Sequence, residues 1–184
     1  ASDVYKRQIL VCNHTDALEV AVQAVYLPRK ITFLGKYELF NPQAALLDII
    51  NSENSPLNSP PFGGVKKGLE DSLNLLGNLY AGQLKHWGGM PIIRNFRGSD
   101  AKAAVAYYEE LEDYMCEILQ SGEILSIFPE GTRTESGVMG PFKAMAAKLA
   151  IKANVPIIPS GISGAWKMSS PQAILSGAAF KTKI

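Results

Sequence analysis

His14 is one of two histidines in the chain, and it follows the apolar run 9–12. Acidic side chains come two and five residues later, at Asp16 and Glu19. Imidazole is the one side chain whose ordinary pKa lets it take and return protons near neutral pH, and a carboxylate can orient it. The spacing predicts a general base with an acidic partner, which either Asp16 or Glu19 could supply. The same two acids also match a helix capping box, and both roles are compatible.

A second chemical feature is the run Phe-Pro-Glu-Gly-Thr-Arg at 128–133. It continues an apolar run and predicts a tight turn that presents a carboxylate, a glycine backbone and a guanidinium together. Such a turn suits a hydroxylated, phosphorylated ligand. Taken alone, it is also compatible with an ordinary turn that carries a solvated ion pair.

Short apolar runs alternate with helical patterns along the chain. The pattern predicts strands at 9–12, 31–33, 90–93, 124–128 and 155–159, and helices at 16–26, 101–120 and 142–153. This alternation predicts an α/β fold, with a mixed, mostly parallel β-sheet covered by helices on both faces. Because ligands gather at the carboxyl ends of such strands, we expect His14, Arg94 and Glu130 to converge there.

Length and composition predict one domain over residues 1–184, since 184 residues with 47% apolar content suffice for one full core. Residues 41–86 are interpreted as an insertion, with a Pro- and Gly-rich loop at 52–64 and an amphipathic helix after it. Residues 1–8 are interpreted as a non-native stub, and we expect a native N-terminal segment to be missing.

The formal net charge of +1 argues against nucleic acid as a partner. From Arg133 onward there are seven basic residues and one acidic residue. This excess suits an anionic ligand or membrane surface, and a solvated helix face around Lys143, Lys148 and Lys152 is an equal alternative. No apolar run reaches the roughly 18 residues that span a bilayer, so we expect any membrane contact to be peripheral.

Cys12 and Cys116 are predicted to be buried thiols in a reducing compartment rather than a disulfide.

Four blocks, taken in order, carry a resemblance to a known family. They are Asn13-His14 with an acid five residues on, Gly-Met-Pro-Ile-Ile-Arg at 89–94, the run 128–133, and Val-Pro-Ile-Ile-Pro at 155–159. The stretch 36–39, which begins with Lys36, adds a fifth match. With these blocks the chain resembles the glycerolipid acyltransferase family. It departs from the family pattern in one place, because Glu19 stands where the family usually has aspartate.

The resemblance implies transfer of a fatty acyl group from an acyl thioester, acyl-CoA or acyl carrier protein, to the free hydroxyl of lysophosphatidic acid or a related lysophospholipid. It implies no cofactor beyond the thioester substrate and no metal, and a site at the cytoplasmic face of a membrane. His14 would be the base and Glu19 its orienter, while 155–159 would lie near the acyl chain. The residues it assigns to acceptor binding are Lys36, Arg94, Glu130, Gly131, Thr132 and Arg133.

Two other functions remain open from the sequence. A degenerate lipid or acyl-thioester binding module would result if the change from aspartate to glutamate had silenced the base. An acyl-CoA thioesterase is the other alternative, although the nearest nucleophile elbow, at 161–165, lacks its final glycine.

Overall fold

The computed structural model describes residues 7–52, 55–59, 62–93 and 100–176. These residues form an α/β fold around one five-stranded sheet, which is parallel throughout. The order across the sheet is β3-β2-β4-β1-β5. The strands are β1 (Gln8–Cys12), β2 (Ile31–Lys36), β3 (Gly89–Ile92), β4 (Ile124–Ile127) and β5 (Ile157–Ser160). The predicted fold class is therefore confirmed.

Helices connect the strands. Their bounds are α1 (Glu19–Tyr26), α2 (Ala44–Asn51), α3 (Gly63–His86), α4 (Ala101–Gln120), α5 (Met145–Ala153) and α6 (Pro171–Leu175). The predicted helix at 101–120 is confirmed, and the Asp100 side chain caps it by accepting hydrogen bonds from the backbone N–H groups of Lys102 and Ala103.

Both faces of the sheet are covered at its centre. Ile9 and Leu10 are neighbours in β1 and therefore point to opposite faces, yet both are buried. All four residues of β4 are buried as well, and Leu10 lies opposite Ser126 in the parallel register. Strands buried on both faces are typical of parallel sheets with helices on either side.

The inner face of α1 is polar. Val25 is 78% exposed, while Glu19 and Gln23 are buried. The polar face turns inward because it has partners there. One of them is Ser126 of β4, whose Oγ donates a hydrogen bond of 2.6 Å to Gln23 Oε1.

The chain divides into two compact units, residues 1–33 with 98–184, and residues 34–97. The first contains β1, β4, β5, α1, α4 and α5, and the second contains α2, α3 and β3. Among the helices described, none has the combination of length and apolarity needed to cross a bilayer. The predicted single domain, with its stub at 1–8 and insertion at 41–86, stays a prediction.

Candidate active site

The carboxyl ends of β1 and β4 bring His14 and the 128–133 run together. The two strands are parallel neighbours, so the residues that follow them meet at one edge of the sheet. The imidazole of His14 stacks on the ring of Phe128, with 4.1 Å between ring centroids and 22° between planes. Arg94, the third residue expected at this edge, lies outside the described residues.

His14 and Glu19 form a close pair. Nδ1 of His14 lies 2.9 Å from Oε2 of Glu19, whose side chain is fully buried, while that of His14 is 14% exposed. The other carboxylate oxygen accepts hydrogen bonds from the backbone N–H and the hydroxyl of Thr15. Since a carboxylate only accepts, it holds the proton of the imidazole on Nδ1 and leaves the lone pair on Nε2. This is the tautomer that a general base at Nε2 requires.

Asp16 binds backbone and hydroxyl groups rather than the imidazole. Its Oδ1 accepts from the backbone N–H of Leu18 at the start of α1, and its Oδ2 accepts from the backbone N–H and the hydroxyl of Ser169. Asp16 therefore joins the start of α1 to the loop 165–170. Of the two carboxylates that follow His14, Glu19 is the one that contacts its imidazole.

Glu130 holds the backbone of His14. Its Oε1 accepts a 2.8 Å hydrogen bond from the His14 N–H, and its Oε2 accepts a 2.7 Å bond from the Gly140 N–H. The carboxylate is 5% exposed. On the other side, the Thr134 N–H donates to the His14 carbonyl at 2.9 Å. The loop after β4 thus fixes the main chain of His14 on both sides, and the assignment of Glu130 to acceptor binding stays a prediction.

Gly131 is required by the local geometry of this loop. Its φ is +70°, and its N–H closes a turn onto the Phe128 carbonyl at 2.9 Å. A Cβ at this position would meet Lys143 Nζ at 2.8 Å. Lys143 comes before α5, which begins at Met145, so it does not lie on the helix face that the sequence predicted.

Two clefts of contrasting chemistry meet at Thr15, the residue after His14. The first, of about 460 Å³, is called the hydroxyl cleft: its lining includes Arg133 and Lys167. Five hydroxyls also line it, those of Thr15, Thr132, Thr134, Ser169 and Ser170. The second, of about 370 Å³, is called the apolar cleft, and it is lined among others by Val11, Cys12, Met139, Phe142 and Pro159.

Only some of the predicted binding residues line the hydroxyl cleft. Thr132 and Arg133 line the hydroxyl cleft. Lys36 lies in the second unit, where its Nζ is 3.3 Å from a carboxylate oxygen of Glu38. Lys167 was missed, because the local sequence around it carries no motif, and only the folded chain brings it into the same cleft as Arg133.

The two cysteines are free and buried. Burial is the main cause that raises the pKa of the Cys12 thiol and that of the Cys116 thiol. The prediction of two buried thiols without a disulfide is confirmed. Within the described ranges, no three His, Cys, Asp or Glu side chains are grouped so that they could hold a metal ion.

Comparison with known proteins gives the family of this chain. The model of the acyltransferase family matches residues 71–163, half of the chain. The match includes the 128–133 run, while His14 and Glu19 precede it. The chain belongs to the acyltransferase family.

Individual relatives match over shorter stretches. A chloroplastic 1-acyl-sn-glycerol-3-phosphate acyltransferase from Brassica napus is 40% identical over 28% of this chain and 15% of its own length. The 1-acyl-sn-glycerol-3-phosphate acyltransferase of Cocos nucifera is 29% identical over 46% of this chain and 28% of its own length. The alpha form from Mus musculus is 61% identical over 18% of this chain and 12% of its own length. The chain thus spans less than a third of each of these relatives.

Proposed function

We propose that this protein is an O-acyltransferase that moves a fatty acyl group from an acyl thioester to the free hydroxyl of lysophosphatidic acid or a related lysophospholipid. The observation that carries the proposal is the pair formed by His14 Nδ1 and the buried Glu19 carboxylate, 2.9 Å apart, at the end of β1. The pair leaves Nε2 as a base beside the 128–133 loop. Membership of the acyltransferase family and the names of the relatives support the same reaction.

In the proposed reaction, Nε2 of His14 takes the proton of the acceptor hydroxyl while that oxygen bonds to the thioester carbonyl carbon. The tetrahedral adduct collapses as the C–S bond breaks, and the departing thiolate takes the proton back from Nε2. An ester and a free thiol result, and the imidazole is neutral again. Glu19 stabilises the transient imidazolium and keeps its Nδ1 proton in place. No nucleophilic side chain is needed.

The two clefts give the substrates places of matching chemistry. The hydroxyl cleft suits a glycerol phosphate head group, because Arg133 and several hydroxyls can bind phosphate and glycerol oxygens. The apolar cleft suits a fatty acyl chain, and its lining includes Pro159 from the segment that the sequence assigned to the acyl chain. Thr15 lines both clefts, so both substrates would meet next to His14.

The decisive experiment replaces His14 with alanine and measures thiol release from acyl-CoA or acyl carrier protein, with lysophosphatidic acid as acceptor. We expect the rate to fall by about 10²–10⁴ because the general base is lost. The matched control is His86→Ala, which removes the other histidine from an exposed position in α3 and should leave the rate unchanged. Equal rates for His14→Ala and the unaltered protein would refute the assignment of the base. Thiol release that does not depend on any acceptor would instead favour a thioesterase.

We further propose that the protein acts at the cytoplasmic face of a membrane, where its amphiphilic acceptor resides. The basic excess after Arg133 supports attraction to anionic lipid. Sedimentation with phosphatidylserine vesicles should show binding that weakens as salt is added, since surface charges are screened. Failure to bind these vesicles at low salt would contradict the proposed membrane location. It would not contradict the proposed acyl transfer.

A further inference from the structure

Lys167 adopts a backbone conformation that is uncommon for its residue type. Its φ is +61°, in the left-handed region that favours glycine. Two residues after this position the loop is anchored, since the Ser169 N–H and hydroxyl donate to Asp16, and the Met168 N–H closes a turn around Lys167 onto the Ala165 carbonyl. Such conformations persist where the surroundings hold them, and they cluster at functional sites.

The side chain of Lys167 is also held in position, by a contact with Trp166. Its Nζ lies 4.3 Å from the ring centroid of Trp166, and this ring packs against Gly137, where a Cβ would come within 3.1 Å of it. Cation–π contact of this kind directs an ammonium group without neutralising its charge. The loop, the tryptophan and the lysine thus form one arrangement that lines the hydroxyl cleft.

Lys167 shares this cleft with Arg133. Within the described part of the chain, neither cation has a carboxylate within ion-pair distance. Two acidic residues, Asp16 and Glu135, also line the cleft. Both carboxylate oxygens of Asp16 already accept hydrogen bonds from backbone or hydroxyl groups, and Glu135 lies beyond ion-pair distance of both cations. Two unpaired cations among hydroxyl groups make a site for an anion that also carries hydroxyl or ester oxygens.

We infer that Lys167 is a second cationic residue for the acceptor, and that it binds the phosphomonoester together with Arg133. This inference rests on the proposed function. A phosphomonoester carries a charge of about −1.5 to −2 near neutral pH, so one cation leaves it only partly compensated. Arg133 offers a planar fork and Lys167 a point charge, which together cover different oxygens of one phosphate. Lys167 would then distinguish a phosphorylated acceptor from a neutral one.

The test uses Lys167→Asn and Lys167→Arg in the full chain. Asparagine tolerates the left-handed backbone and lacks the charge, whereas arginine keeps the charge. Lys148→Gln is the control, because Lys148 is an exposed lysine of α5 that lines neither cleft. Each protein is assayed with lysophosphatidic acid and with its phosphate-free counterpart, a monoacylglycerol, and thermal shifts are recorded with glycerol 3-phosphate.

We expect Lys167→Asn to raise KM for lysophosphatidic acid by about tenfold, as for a lost charge-assisted hydrogen bond, with kcat little changed. KM for the monoacylglycerol should stay as it is, and Lys167→Arg should restore most of the affinity for the phosphorylated acceptor. An unchanged KM for lysophosphatidic acid in Lys167→Asn overturns the inference, as does an equal rise for both acceptors. The inference is also overturned if KM for lysophosphatidic acid rises in a Lys143→Asn variant and not in Lys167→Asn.

These outcomes are separable from failure of the proposed function. If the unaltered protein transfers no acyl group, the proposed function fails, and the thermal shift with glycerol 3-phosphate still reports on the site. A stabilisation that is present in the unaltered protein and lost in Lys167→Asn would support a phosphate site at this position. A stabilisation equal in both proteins would overturn it.

Discussion

At the scale of single residues, the central feature of the site is His14, whose ring and backbone are both held by neighbouring residues. Glu19 fixes the ring through Nδ1, and Phe128 lies against its face. Glu130 and Thr134 hold the backbone N–H and carbonyl of the same residue. Nε2 makes no hydrogen bond to any described residue and is available to the reacting hydroxyl. A base positioned in this way loses little freedom when its substrate arrives, which is where much of the rate advantage of a site arises.

Replacing Glu19 tests whether it sets the tautomer. In Glu19→Gln the amide can donate to Nδ1, which moves the ring proton to Nε2 and removes the base, so we expect kcat to fall by up to about 10⁴. Glu19→Asp restores the carboxylate of the usual family pattern and should recover part of the activity. Asp16→Asn is the matched control: it weakens the contacts to Ser169 but leaves the imidazole partner intact. A larger loss of kcat in Asp16→Asn than in Glu19→Gln would reverse the assignment.

Replacing Glu130 distinguishes a positioning role from acceptor binding. Glu130→Gln keeps one accepting oxygen and turns an NH₂ group toward one of the two backbone N–H groups, either that of His14 or that of Gly140. Because the His14 backbone then shifts, we expect kcat to fall on the order of 10²-fold while KM for the acceptor stays the same. Steady-state kinetics with varied lysophosphatidic acid gives both constants. A rise of KM at constant kcat would instead assign Glu130 to the acceptor.

At the scale of elements, α1 carries the orienting carboxylate and must be docked accurately on the sheet. Its inner face is polar, and Gln23 is bound to Ser126 Oγ of β4 at 2.6 Å. Gln23 Nε2 is buried with no hydrogen-bond partner among the described residues. A polar contact between a helix and a buried strand is directional, so it sets the position of α1 more narrowly than apolar contact would.

A double-mutant cycle on this pair measures its contribution. Ser126→Ala leaves the Gln23 amide with neither group bonded, and we expect the free energy of unfolding to fall by about 1–3 kcal/mol. Adding Gln23→Leu removes the unpaired amide, so the double variant should recover most of that loss. Urea unfolding followed by circular dichroism gives the values. If the two changes simply add, the side chains do not interact as the structure has them.

At the scale of the whole molecule, what the sequence could predict depended on distance along the chain. The His14–Glu19 pair spans five residues, and the strands and the α4 helix are local patterns, so all of these were predicted. The strand pattern predicted that His14 and Glu130 would converge at one edge of the sheet. It did not predict that Glu130 would bind the His14 backbone across 116 positions, or that Asp16 would bind Ser169 across 153. Such contacts follow from the placement of β1 between β4 and β5, which no local pattern encodes. Lys167 was missed for the same reason.

The two cysteines provide a probe of whether the first unit unfolds as one body. Cys12 in β1 and Cys116 in α4 are both buried in this unit, and burial raises the pKa of each thiol. Because the thiolate is the reactive form, a raised pKa lowers its fraction below that of a free cysteine at about pH 8. We therefore expect both thiols to resist iodoacetamide in the native protein, and to react once urea unfolds it. Mass spectrometry of peptides labelled at increasing urea concentrations should give one midpoint for both sites. Labelling of Cys12 at urea concentrations that leave Cys116 protected would show that β1, and with it the His14 loop, opens before the rest of the unit.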